Sequence, residues 1–258
     1  MRLMKRILSA AAVLALSASL LVGCSSGTAS SVPVSASSAA ESTVSSVEET
    51  ASSAVDENEA AAAQLLNDLT GSYQELWPVI LADEYKQTWL DDCTALEGEE
   101  NAEAAFEKLS SMVTSDVYGE DAVEAYANGG GAYFCGFTNS LAILTFDGET
   151  STISGTDKDG NVLFSHTYHY IGMEPVRGLY EFQSDDADSG EFTYFFLAPD
   201  TSAETYHIEF RYGSDAEALS QYDTGEYAYW LASGISTDCD QTMIDNCIEL
   251  FCTENLAG

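Results

Sequence analysis

Leu141-Ala142-Ile143-Leu144-Thr145-Phe146-Asp147-Gly148-Glu149-Thr150-Ser151-Thr152-Ile153-Ser154-Gly155-Thr156-Asp157-Lys158-Asp159-Gly160-Asn161-Val162-Leu163-Phe164 decides the fold. Short runs rich in β-branched and aromatic residues alternate here with Asp147-Gly148 and Asp159-Gly160-Asn161, and such turn-formers between apolar runs mark hairpins. The same rhythm spans Tyr133–Phe137, Leu141–Phe146, Thr150–Gly155, Val162–Ile171, Arg177–Gln183, Phe192–Leu197 and Thr205–Tyr212, with a further turn at Asp188-Ser189-Gly190. Closely spaced strands joined by tight turns predict an antiparallel meander, and closure into a barrel is the usual way to remove exposed edges.

The period changes to helical on both sides. Glu57–Leu69 places Leu65, Leu66 and Leu69 on one face, and Asn101–Met112 spaces Ala105, Phe106, Leu109 and Met112 in the same way. A short helix is expected over Asp121–Ala127. The last, Asp240–Cys252, carries Met243, Ile244, Cys247, Ile248 and Phe251 on one stripe, which should cover the barrel. The expected architecture is therefore mainly β, an antiparallel barrel with N-terminal helices and a C-terminal helix, over residues 56–258.

Ahead of it, residues 24–55 are mostly Ser, Ala, Thr and Val with no aromatic side chain, and Ser25–Val55 holds 12 Ser in 31 residues. So little apolar surface cannot offset ordering entropy, and the segment reads as a flexible tether. Residues 1–23 carry Arg2, Lys5 and Arg6 before an apolar run from Ile7 to Leu21. That run is shorter than the roughly 20 residues that span a bilayer, and with its basic head it reads as a signal peptide. Leu21-Val22-Gly23-Cys24 resembles the lipobox of bacterial lipoproteins, which implies cleavage before Cys24, a diacylglyceryl group on its sulfur and a location on the extracytoplasmic face of the cell membrane.

Charge excludes further classes. The chain has 43 Asp and Glu against 8 Lys and Arg, a formal charge of −35. A phosphate backbone needs basic side chains to neutralise it, so nucleic acid is excluded as a partner. Loss of residues 1–23 leaves 43 acids against five bases, Lys86, Lys108, Lys158, Arg177 and Arg211, a charge of −38. Besides Cys24 there are Cys93, Cys135, Cys239, Cys247 and Cys252, an odd number without a Cys-x-x-Cys spacing. A thiol-metal site thus has no spacing support. No nucleophile elbow, phosphate loop or dinucleotide fingerprint occurs, which argues against an enzyme.

His207-Ile208-Glu209-Phe210-Arg211-Tyr212-Gly213 is the most specific stretch for chemistry. In an extended strand His207, Glu209 and Arg211 share one face, and an imidazole and a carboxylate two positions apart suit a zinc ion. Equally, Glu209 can pair with Arg211 or His207 in a polar cluster. His166 and His169 lie three apart on one expected strand and so face opposite sides. His169 alternates with Leu163 and Ile171 and is the one expected to face the interior.

From about Leu65 to Ile235 the chain resembles the ZinT (YodA) family, a calycin-like, lipocalin-like barrel. The resemblance rests on Leu69-Thr70-Gly71-Ser72-Tyr73-Gln74 with Trp77-Pro78, Leu144-Thr145-Phe146 with Asp147-Gly148, Val176-Arg177-Gly178-Leu179-Tyr180-Glu181, Phe196-Leu197-Ala198-Pro199 and His207–Gly213, followed by Leu219, Tyr222 and Trp230. In that family three histidines bind zinc, and their positions fall on Phe195, His207 and Glu209. The resemblance implies an extracytoplasmic metal-binding protein that captures or delivers zinc, a divalent metal ion as partner and a metal-uptake transporter system beyond it. The expected ligands are His207, Glu209 and His169. Because Phe195 cannot ligate, the rival expectation is a barrel that has lost metal binding and serves as an interaction or apolar small-ligand module.

Overall fold

The computed structural model describes residues 57–128, 131–199 and 207–256. Residues 1–23, the tether and Cys24 lie outside the described residues, as does Thr205–Tyr206 of the last expected strand.

Eight strands form one closed barrel in which every neighbour is also the next strand in sequence. They are β1 (Gly71–Glu75), β2 (Ile143–Asp147), β3 (Thr152–Thr156), β4 (Val162–Met173), β5 (Tyr180–Ser184), β6 (Tyr194–Leu197), β7 (His207–Gly213) and β8 (Ala232–Ser236). All pairings are antiparallel, and β1 closes the ring on β8 through Tyr73↔Ser236 and Glu75↔Gly234. The helices are α1 (residues 57–68), α2 (Leu76–Ile80), α3 (Lys86–Glu97), α4 (Ala102–Ser111), α5 (Glu120–Ala127), α6 (Ala216–Leu219) and α7 (Gln241–Leu256).

The expected barrel and flanking helices are therefore present, with local differences. Tyr133–Phe137 forms no strand and contributes only isolated bridges from Phe134 to Thr114 and Trp230. Gly71–Glu75 and Ala232–Ser236 supply the strands that close the ring instead. Helix α3 was not expected, because it buries only Trp89 and Cys93 and has no wide apolar stripe.

Turn chemistry explains the hairpins. The Asp147 carboxylate accepts hydrogen bonds from the backbone N–H of Glu149 (3.1 Å) and Thr150 (3.3 Å). Gly148 lets this turn lie on α1, since a Cβ there would come within 2.4 Å of Asn67 Cα. In the next hairpin Asp157 accepts from the N–H of Asp159 and Asn161, both at 2.9 Å, and Gly160 adopts φ +80°, a conformation that only glycine takes without strain.

Cross-strand register separates two faces. Phe146, Phe164, Phe182, Phe195, Phe210 and Tyr212 fall on the inner one and belong to a single core cluster. Their rings stack, Phe195 with Tyr212 at 5.4 Å and with Phe164 at 5.9 Å, so side chains fill the lumen as they do in small barrels. Outside, Trp77, Ile80, Trp89, Leu109, Ile235 and Ile248 form a second cluster beneath the helices. Helix α7 starts where the Asp240 carboxylate accepts from Met243 N–H at 3.0 Å. Among the described residues no helix is long and apolar enough to cross a membrane.

Candidate functional site

Strand β7 carries the residues singled out for chemistry, and its pairing fixes where each points. Ile208 and Phe210 oppose Gly234 and Ala232, while His207 and Glu209 oppose Ile235 and Ser233. Ile208, Phe210 and Tyr212 are lumen residues, so His207, Glu209 and Arg211 face outward by strand alternation. Ile235, the partner of His207, belongs to the cluster beneath the helices. The expected common face of His207 and Glu209 is thus present, on the outer wall.

Phe195 pairs with Tyr212 and is fully buried in the lumen. The three positions that resemble the zinc ligands therefore split across the sheet, one inward and two outward. They cannot converge on one ion.

The expectation that His169 faces the interior is corrected. Tyr168 and Tyr170 oppose Ser184 and Phe182, whereas His169 opposes Gln183 on the outer face. Leu163 and Ile171, whose apolar character suggested an inward face, are 37 % and 41 % exposed. His169 Nδ1 lies 2.6 Å from Asp185 Oδ1, with both side chains about half exposed. It stands three strands around the barrel from β7, away from His207 and Glu209. It is His166 that shares the inner face with Phe164 and Tyr168. Its Nδ1 lies 2.8 Å from Asp186 Oδ2.

Glu209 lies near two buried thiols. Burial first, then the Glu209 carboxylate, pushes Cys135 up to about 12. Cys247 is also raised to about 12, by burial, then Cys239, then Glu209. Among the described residues no three of His, Cys, Asp and Glu come together to hold a metal ion. The residues present do not fit a resident zinc centre.

Arg211 is fully buried. It donates to the carbonyls of Leu219, Gln221 and Tyr227, tying β7 to the segment that follows it. Its guanidinium also stacks on Tyr222 at 4.4 Å, and Arg177 stacks on the same ring at 4.3 Å. The sequence showed these aromatics only as scattered residues, because the segments that bring them together are far apart in the chain.

No family model matches the chain, and no curated protein matches it. Among solved structures, the Zn(II)-bound ZinT-like domain of Streptococcus pneumoniae AdcA is similar at 15% identity and a TM-score of 0.45, over 71% of this chain and 89% of that domain. Zn(II)-bound AdcA from the same organism is similar at 14% identity and a TM-score of 0.42, over 72% of this chain but only 35% of that protein.

Proposed function

We propose that the chain is a lipid-anchored extracytoplasmic binding module, not an enzyme, which keeps a closed barrel as scaffold and presents its binding groups on the outer wall. One observation carries the reading: Phe195 is in the lumen while His207 and Glu209 face outward, so the zinc constellation implied by the resemblance is split by the sheet. The aromatic filling of the lumen supports the same reading, because side chains occupy the space where a ligand would sit inside. The tether and the lipid on Cys24 would hold the domain at the membrane.

A second reading, capture or delivery of zinc to an uptake transporter, is favoured by the common outward face of His207 and Glu209. Two protein ligands fall short of the three or four that zinc sites use. Calorimetry of metal-stripped chain purified without a His-tag separates the readings. The module reading expects no saturable zinc binding at micromolar concentration. A one-to-one site abolished by His207→Ala or Glu209→Ala would establish the second. For the anchor, Cys24→Ser should move the protein from the membrane to the soluble fraction of its host, and continued membrane retention would count against lipidation.

A further inference from the structure

Two of the chain's eight basic residues meet at one tyrosine. Arg177 and Arg211 stack on Tyr222 at 4.3 Å and 4.4 Å. Lys86 has a carboxylate partner in Glu103 at 3.7 Å. Neither arginine has one within 4.0 Å among the described residues, although the chain carries 43 acids. Glu174 is the nearby buried acid. Its oxygens are engaged by the backbone N–H of Val176 and Arg177, each at 2.7 Å, and by the Tyr222 hydroxyl at 3.4 Å.

The two arginines differ in availability. Arg211 is enclosed, and its two Nη atoms are engaged by three carbonyls while the buried Nε meets no acceptor. Arg177 is partly exposed and donates through Nη2 to the Tyr133 hydroxyl at 3.1 Å. A guanidinium has five N–H donors, so most of this one's remain to be met. An unpaired cation at a half-dry aromatic surface attracts an anion strongly, because burial weakens its solvation.

Around it the surface is aromatic. Tyr126 and Tyr229 stack at 3.7 Å with 6° between planes, and Tyr133 meets both edge-on. Tyr229 holds this position at φ +56°, a costly conformation for a bulky side chain that recurs at ligand-binding sites. The hairpin that presents Arg177 adds exposed Met173 and Val176.

We infer that Arg177, with Tyr133, Tyr222, Tyr126 and Tyr229, forms a binding site for a monocarboxylate carried on a flat, aromatic body. The guanidinium edge takes the two carboxylate oxygens in one plane, and the tyrosines and hairpin side chains cover the ring. A singly charged ligand is favoured over a phosphate dianion, because the field of a −35 chain opposes each added negative charge. Like-charge repulsion between the arginines favours an anion of either kind at Arg177, which relieves it.

This deepens the module reading by naming a ligand class, and the two fail separately. Zinc capture at β7 would sink the module reading and leave this site standing, whereas failure here leaves the module without this ligand.

The test is titration of the purified chain with benzoate, benzamide and inorganic phosphate, followed by amide and tyrosine-ring chemical shifts. Benzoate should bind saturably and shift Tyr133 and Tyr229. Benzamide and phosphate should bind at least about tenfold more weakly. Arg177→Lys, which keeps the charge but loses the planar fork, should weaken benzoate about tenfold, and Arg177→Gln should abolish it, while Lys158→Gln leaves it unchanged. Thermal melts identify any variant that fails to fold, and Arg177→Lys then carries the comparison. Absence of saturable benzoate binding, equal binding of benzamide or phosphate, or wild-type affinity in folded Arg177→Gln or Arg177→Lys would overturn the proposal.

Discussion

Phe195 holds the lumen together where the resemblance would place a ligand. Its ring touches Phe164, Tyr168, Phe210 and Tyr212 at centroid distances of 5.4–6.4 Å, and none of it meets solvent. Phe195→His therefore tests the geometry directly. It removes apolar burial and puts a polar imidazole among packed aromatic rings, a loss of about 3 kcal/mol or more. Denaturant unfolding should show that loss without any gain in zinc affinity, because His207 and Glu209 remain on the other face. A micromolar zinc site in this variant would contradict the assigned faces. The same residue-scale logic explains the misplacement of His169. Apolar Leu163 and Ile171 suggested an inward face, but both are exposed, and the lumen set Phe164, His166, Tyr168 and Tyr170 mixes aromatics with a histidine, so polarity gave no clean alternation. A shift in register between Tyr170 and Gly172 blurs it further.

Among the elements, strands were legible where β-branched and aromatic residues met clear turns, which covers β2 to β7. Strand β8 is Ala-Ser-Gly-Ile-Ser, with little side-chain signal of its own. Its small residues belong there for packing reasons, since a Cβ on Gly234 would already lie 3.2 Å from Ile208. Tyr133–Phe137 misleads in the opposite sense, because its aromatics serve tertiary packing, Phe134 on Tyr118 at 5.5 Å and Tyr133 on Tyr229. Helix α3 was hidden because its contribution to the core is narrow, yet that contribution matters. Its Cys93 and Cys252 of α7 are fully buried in one apolar cluster, close enough for each thiol to influence the other's titration. Both are reduced in this structure, and burial raises both pKa values, which slows oxidation. A mild disulfide oxidant should join these two in preference to the other cysteines, with loss of one hydrogen from each sulfur and two electrons passing to the oxidant. Peptide mapping should recover the Cys93–Cys252 link. Because it closes a loop of more than 100 residues, it should stabilise the domain by on the order of 3 to 5 kcal/mol. Recovery of a different pair, or a lower melting temperature after oxidation, would refute the arrangement of α3 on α7.

The whole molecule carries its acids in excess, and that excess sets the sign of its response to pH and salt. Of the 43 acids only Glu41, Glu48 and Glu49 lie in the tether, so the repulsion acts within the domain. Asp92 is held above the ordinary carboxylate value by burial, then by Glu249, Asp245 and Asp91. Glu181 is raised by burial and then by Glu174. Such groups keep their protons in the folded chain at pH values where the unfolded chain has released them. Folding then binds protons in the interval between the two pKa values, and stability falls as pH rises through it. Asp157 works the other way, lowered by its hydrogen bonds to Asn161, but its contribution disappears only as pH drops through and below the ordinary carboxylate range. The melting temperature at low salt should accordingly be higher at about pH 4.5, near the ordinary carboxylate value, than at about pH 8. Salt should raise the pH 8 value more than the other, because near 1 M the screening length shrinks to about 3 Å and repulsion between surface carboxylates fades. Equal melting temperatures at the two pH values, or a gap that salt does not narrow, would mean that the acids are spaced widely enough to leave the fold indifferent to its own charge.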